Sequence, residues 1–92
     1  MPLLTSTQIT EALAALPGWT LENGAIQQSF TFADFVAAMH FVNAVAAIAE
    51  QAGHHPDIDI RYNRVRFALS SHDAGGITEK DTAVAAAISR LL

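Results

Sequence analysis

The stretch His54-His55-Pro56-Asp57-Ile58-Asp59-Ile60-Arg61-Tyr62-Asn63-Arg64-Val65-Arg66-Phe67-Ala68-Leu69 decides the fold. Pro56 disfavours helix at His55 and starts extended chain. From residue 57 the side chains alternate, with Ile58, Ile60 and Tyr62 on one face and Asp57, Asp59 and Arg61 on the other. Val65, Phe67 and Leu69 resume the alternation after Asn63-Arg64. Two period-2 runs around a polar dipeptide predict a β-hairpin with one apolar face. A turn centred between Asn63 and Arg64 sets His55 opposite His72 at the open end of the hairpin, their Cβ atoms about 5 Å apart. His54 adjoins them in sequence, so this register gathers three imidazoles where a helix ends and a strand begins.

Upstream, residues 32–52 read as a long helix. Thr31 is the expected cap, Asp34 sits near the positive end of the helix dipole, and Gly53 is placed to end it. Phe32, Phe35, Val36, Met39, Val42, Ala46 and Ala49 form one apolar stripe; Ala37, Ala38, Phe41, Val45 and Ile48 form another. A helix apolar on two faces is buried on more than one side. A chain of 92 residues cannot supply both covers, so the same helix of a second copy is the expected partner. Further upstream, Asn23-Gly24 suits a type I′ turn, pairing Leu21 with Ile26 and Trp19 with Gln28 in a first hairpin whose second strand is residues 25–31. A first helix over residues 7–16, capped by Ser6 or Thr7 and ended by Pro17-Gly18, points Ile9, Leu13 and Leu16 inward. Downstream, Gly75-Gly76 breaks the chain and Thr78 caps a last helix with Asp81 at its third position, Val84, Ala87, Ile88 and Leu91 facing inward. The order is α-β-β-α-β-β-α. It predicts an α+β fold, a four-stranded antiparallel sheet with helices packed on one face, as one domain over residues 1–92.

Composition narrows the function. Hydrophobic residues are 51% and charged residues 15% of the chain, and 18 residues are alanine, a balance that excludes disorder. Net charge is −4, which argues against nucleic acid and against an anionic membrane surface. Cysteine is absent, removing disulfides, thiolate ligands and thiol catalysis. Nothing near the amino terminus reads as a signal peptide, and no uninterrupted apolar run approaches the roughly 18 residues of a membrane span. A soluble cytoplasmic domain is expected.

Among the side chains able to do chemistry, His54, His55 and His72 stand out because the hairpin brings them together. His40 lies alone within the long helix and reads as a helix or interface residue. Three neutral imidazoles plus water could hold zinc, although adjacent residues of extended chain point to opposite sides. Proton transfer is the other use: imidazole titrates at about pH 6.5, so a cluster holds donors and acceptors together and suits a reaction that expels hydroxide as water. Glu50 sits one helical turn before His54, and Asp81 follows His72. Either carboxylate could orient an imidazole or bind a polar heterocycle, and Asp81 is equally explained as a cap. Trp19 could stack on a flat ligand or fill the core.

These residues resemble a known family, the pterin-4a-carbinolamine dehydratases. The resemblance runs from Gly18-Trp19 to the carboxyl terminus and rests on Glu50, His54-His55-Pro56, Tyr62, Val65, Leu69, Ser71-His72, Gly76-Ile77-Thr78 and Asp81, with Phe30, Phe32 and Phe35 ahead of the long helix. Ser71 stands where Thr is common, Ile77 where Leu is common, and Gly53 replaces a frequent polar residue. The resemblance implies dehydration of a 4a-hydroxytetrahydropterin to the quinonoid dihydropterin, in recycling of the pterin used in aromatic amino-acid hydroxylation. It also implies a homodimer or homotetramer, and neither metal nor organic cofactor. His54 and His55 become candidate general acids toward the leaving hydroxyl, and His72 a residue that binds and moves protons. Glu50, Asp81, Ser71 and Trp19 become candidate substrate-binding residues. An interaction module without turnover and a His-cluster metal protein are the rival readings.

Overall fold

The computed structural model describes residues 2–92. Its elements are α1 (Ser6–Ala14), β1 (Thr20–Glu22), β2 (Ala25–Thr31), α2 (Phe35–Ala52), β3 (Asp57–Arg61), β4 (Arg64–Leu69) and α3 (Glu79–Ser89). The strands form one antiparallel sheet in the order β1-β2-β4-β3. This is the predicted α+β arrangement with its element order intact.

Alternation on the two central strands builds the core. Ile26 and Phe30 of β2 and Val65, Phe67 and Leu69 of β4 point to one side and are buried there. Ala38, Phe41, Val42 and Val45 of α2 close over them, and Val84, Ala85 and Ile88 of α3 complete the layer. Burying each large aliphatic or aromatic side chain contributes about 1.5–3 kcal/mol. An aromatic cluster runs through the centre, with ring centroids 5.1 Å apart for Phe30–Phe41, 5.0 Å for Phe32–Phe41 and 5.9 Å for Phe41–Phe67. Edge strand β3 is less covered: Ile58 and Ile60 face the helix side yet keep 38% of their surface.

The first hairpin has the predicted register, Leu21 opposite Ile26, with positive φ at both Asn23 (51°) and Gly24 (76°). The second does not. Ile58 pairs with Phe67, Ile60 with Val65 and Arg61 with Arg64, so the two-residue turn is Tyr62-Asn63 rather than Asn63-Arg64. His55 and His72 are therefore not cross-strand neighbours. Asn63 sets this register by gripping the neighbouring chain: its side-chain amide donates to the Phe32 carbonyl (2.8 Å) while its own carbonyl accepts from the Phe32 N–H (2.9 Å). Tyr62, held outward at φ 53°, absorbs the left-handed turn position.

Two helix starts also differ from expectation. α1 is capped by Thr5, which exchanges hydrogen bonds with Gln8 in a capping box (2.8 and 3.1 Å), so neither Ser6 nor Thr7 is needed. α2 starts at Phe35 because the Asp34 side chain accepts the Ala37 N–H (2.8 Å); Thr31 remains in β2 and Phe32 is tied to Asn63. α2 is as long and apolar as a membrane span, with mean hydropathy 1.3 over 18 residues. One of its faces is spent on the sheet. Another part packs on α3, and at the amino-terminal turn Phe35 and Val36 are left 47% and 60% exposed.

Candidate active site

The end of α2 delivers the first histidines. Gly53 adopts φ 64°, ψ 28°, its N–H reaches the Glu50 carbonyl (3.2 Å) and the His54 N–H reaches the Ala49 carbonyl (3.1 Å). This pair of bonds is a Schellman ending, which needs a left-handed residue and so selects glycine. The reversal carries His54 back toward α3, and Pro56 then commits the chain to β3. From the other side, β4 runs into Ser71, whose N–H and carbonyl pair with Gly76 around a tight turn at 72–75 (2.8 and 3.2 Å). Thr78 and Asp81 then cap α3 reciprocally, Thr78 N–H to Asp81 Oδ2 at 2.9 Å.

Three chain segments thus meet at Asp81, which is fully buried. Its Oδ2 accepts from Ser71 Oγ (2.9 Å) as well as from the Thr78 N–H, and Oδ1 lies 2.6 Å from His54 Nε2. The proton directions follow from donor counting. Ser71 spends its one hydroxyl proton on Asp81, so in the 2.8 Å Ser71–Thr78 contact it is Thr78 that donates. With Asp81 as a carboxylate, whose oxygens only accept, the contact at Oδ1 calls for the tautomer of His54 that donates from Nε2. That assignment makes Nδ1 the nitrogen free to exchange a proton with a ligand. Burying this carboxylate is tolerable only because every lone-pair direction it uses is matched by a donor.

His54 keeps 14% of its side-chain surface and forms part of the wall of a cleft of about 200 Å³ between α2 and α3. Ile48 and Ala52 line it from α2, and Lys80, Ala83, Val84 and Ala87 from α3. The floor is apolar; His54 and Lys80 are its polar groups. A flat heterocycle with a polar edge matches such a lining.

The remaining predicted residues fall elsewhere. His55 Nε2 pairs with Glu50 Oε1 at 2.8 Å, both side chains well exposed, so the contact orients the ring more than it stabilises the fold. His72 is exposed in the 72–75 turn, next in chain to Ser71, and its carbonyl accepts the Gly75 N–H. Ser71 is 4% exposed with its hydroxyl fully engaged, which makes it a support for Asp81 rather than a contact for a ligand. Trp19 belongs to the core: it is 3% exposed, donates its indole N–H to Ser89 Oγ (2.9 Å) and meets Phe30 edge-on. It offers no open face to a flat ligand. His40 is exposed on α2. Among the described residues no three His, Asp or Glu side chains come close enough to hold a metal ion, so the metal reading lacks its ligand set. The sequence reading missed Ile48, Ala52, Lys80 and Ala83 as cleft residues. Their signal was helical spacing, four apart on α2 and a Lys80-Ala83-Val84-Ala87 stripe on α3.

The site thus joins a buried carboxylate, a histidine hydrogen-bonded to it and an apolar cleft in one α+β domain. Residues 2–91 match the family Pterin 4 alpha carbinolamine dehydratase, and the chain belongs to it. A protein of Chloroflexus aurantiacus, provisionally named pterin-4-alpha-carbinolamine dehydratase, is 60% identical over all of this chain and 99% of its own length. One from Acidobacterium capsulatum with the same provisional name is also 60% identical, over the whole of both chains. The crystal structure of a transcriptional coactivator/pterin dehydratase from Brucella melitensis superposes with TM-score 0.93 at 38% identity, covering 97% of each chain. A pterin dehydratase-like protein identified as a RuBisCO assembly factor in the alpha-carboxysome superposes with TM-score 0.64 at 26% identity, over 79% of this chain and 84% of that one.

Proposed function

We propose that the protein dehydrates a pterin-4a-carbinolamine, a 4a-hydroxytetrahydropterin, to the quinonoid dihydropterin and water. The observation that carries this reading is the 2.6 Å His54–Asp81 pair beside the apolar cleft; family membership supplies the substrate class. The ring system lies in the cleft between α2 and α3. His54, donating Nε2–H to Asp81, presents Nδ1 to the 4a-hydroxyl. As the C4a–O bond breaks, a proton moves from an imidazolium to the leaving oxygen, and the substrate loses a proton from its ring system, so one water leaves and no cofactor is consumed. His55, oriented by Glu50, is the second candidate acid, and His72 on the neighbouring turn the candidate for binding and proton exchange. The setting is the recycling of pterin after aromatic amino-acid hydroxylation.

Stopped-flow dehydration of the carbinolamine tests it. His54→Ala is expected to lower kcat/KM by about 10²–10⁴-fold with the far-UV spectrum unchanged, and His55→Ala and His72→Ala by smaller factors. Wild-type rates in all three variants would remove the proposal.

A second reading is favoured by the exposed amino-terminal turn of α2 and by the assembly-factor relative: a homo-oligomer through α2 that serves as an interaction module. An oligomer without pterin turnover would select it; turnover by the purified protein would make it unnecessary.

A further inference from the structure

The helix-free face of the sheet concentrates most of the chain's positive charge. Of five Lys and Arg residues, three are Arg61, Arg64 and Arg66, and all three line one cleft of about 370 Å³ with Ser29, Asp59 and Val65. Their placement is unfavourable by itself. Arg61 and Arg64 are direct cross-strand partners beside the turn, and like charges in that position oppose strand pairing. A single carboxylate serves the group: Asp59 Oδ1 accepts from Arg61 Nε (3.3 Å) and Asp59 Oδ2 lies 3.8 Å from Arg66 Nη2. Arg66 is further fixed by donating from Nη1 to Gln27 Oε1 (2.6 Å). Gln27 in turn donates to Glu22 on β1. Arg64 has no carboxylate partner among the described residues.

We propose that this cleft is a binding site for a small phosphate dianion, free or as the monoester of a small molecule. The cleft lining holds three guanidinium groups and one carboxylate, with Asp57 and Glu22 farther along the same sheet face, and a dianion supplies the negative charge that the lining itself lacks. Guanidinium forks match phosphate oxygens in bidentate geometry, and the Ser29 hydroxyl adds a donor at the edge. A bound anion between Arg61 and Arg64 turns the like-charge pair into two attractive contacts. A nucleic-acid polymer is disfavoured, because outside this cleft the surface of a chain of net charge −4 is more acidic still. The site lies on the sheet face opposite the His54 cleft, so its occupant does not compete there.

The test uses the purified full chain in phosphate-free buffer near pH 8, where phosphate groups are dianionic. Inorganic phosphate and phenyl phosphate are titrated separately, with chloride at matched ionic strength as control. Melting temperature and the arginine Nε–Hε resonances are read. Saturable shifts at Arg61, Arg64 and Arg66, with a rise in Tm, are expected; the tighter of the two probes tells whether the free ion or the ester is preferred. Arg64→Gln should lose both responses and, without phosphate, melt about 1–4 °C higher than the parent because the repulsion is gone. A response no larger than that to chloride, a response retained in Arg64→Gln, or tighter binding of a single-stranded oligonucleotide through the same arginines would each overturn the proposal.

Discussion

Asp81 divides its duties between two oxygens. Oδ2 belongs to the fold, closing the α3 capping box and accepting from Ser71; Oδ1 belongs to the site, facing His54. Asp81→Asn keeps the shape but places an amide donor on one side, so either a cap bond is lost or His54 must switch tautomer to accept at Nε2. Unfolding free energy should fall by about 1–3 kcal/mol in urea titrations, and the ¹⁵N shifts of His54 should report a changed tautomer. Ser71→Ala leaves the Thr78 hydroxyl without its acceptor and Asp81 short of a donor. A loss of about 1–2 kcal/mol is expected, with Ser71→Thr restoring it because the hydroxyl returns. If Ser71→Ala instead changed only substrate affinity and not stability, the support role assigned to Ser71 would fail. Thr78 and Asp81 were legible in sequence as a capping pair, since that pattern is local. Their reach to His54 was not, because it depends on chain reversals at Gly53 and at the 72–75 turn that no local pattern encodes. The same holds for Trp19, whose burial depends on the distant Ser89 and Phe30.

The elements themselves were readable, but one register was not. A hairpin slipped by one residue in each strand keeps every side chain on its face, so the alternation of Ile58, Ile60, Val65, Phe67 and Leu69 fits Tyr62-Asn63 and Asn63-Arg64 equally well. The choice is made by Asn63 holding Phe32, a contact 31 residues apart. Asn63→Ala should therefore cost about 1 kcal/mol and broaden the amide resonances of β3 more than those of β1. In the first hairpin Asn23-Gly24 states its turn type outright, and there the predicted register holds. Gly53 is the corresponding device on α2. A Cβ there meets nothing within 4 Å, so Gly53→Ala is paid for in backbone strain alone, about 1–2 kcal/mol. Thermal unfolding measures that loss, and a slower dehydration rate would accompany it as His54 is displaced.

For the whole molecule, the doubly apolar reading of α2 divides into a buried half and an open half. Ala38, Phe41, Val42 and Val45 are packed into the core with the strand residues; Phe35 and Val36 are exposed. The proposed self-association through this face predicts that Val36→Glu shifts sedimentation toward the monomer, because a carboxylate cannot be buried there unpaired. An unchanged oligomer would place the interface elsewhere. The union of cap and site in Asp81 reaches further than either role. Fraying is ordinarily harmless at a helix start. In this protein the opening turn of α3 also hydrogen-bonds the imidazole proposed as the general acid, so on that proposal each transient unwinding disarms it. Hydrogen exchange at the Asp81 amide should consequently keep pace with heat inactivation, even while the central strands stay protected.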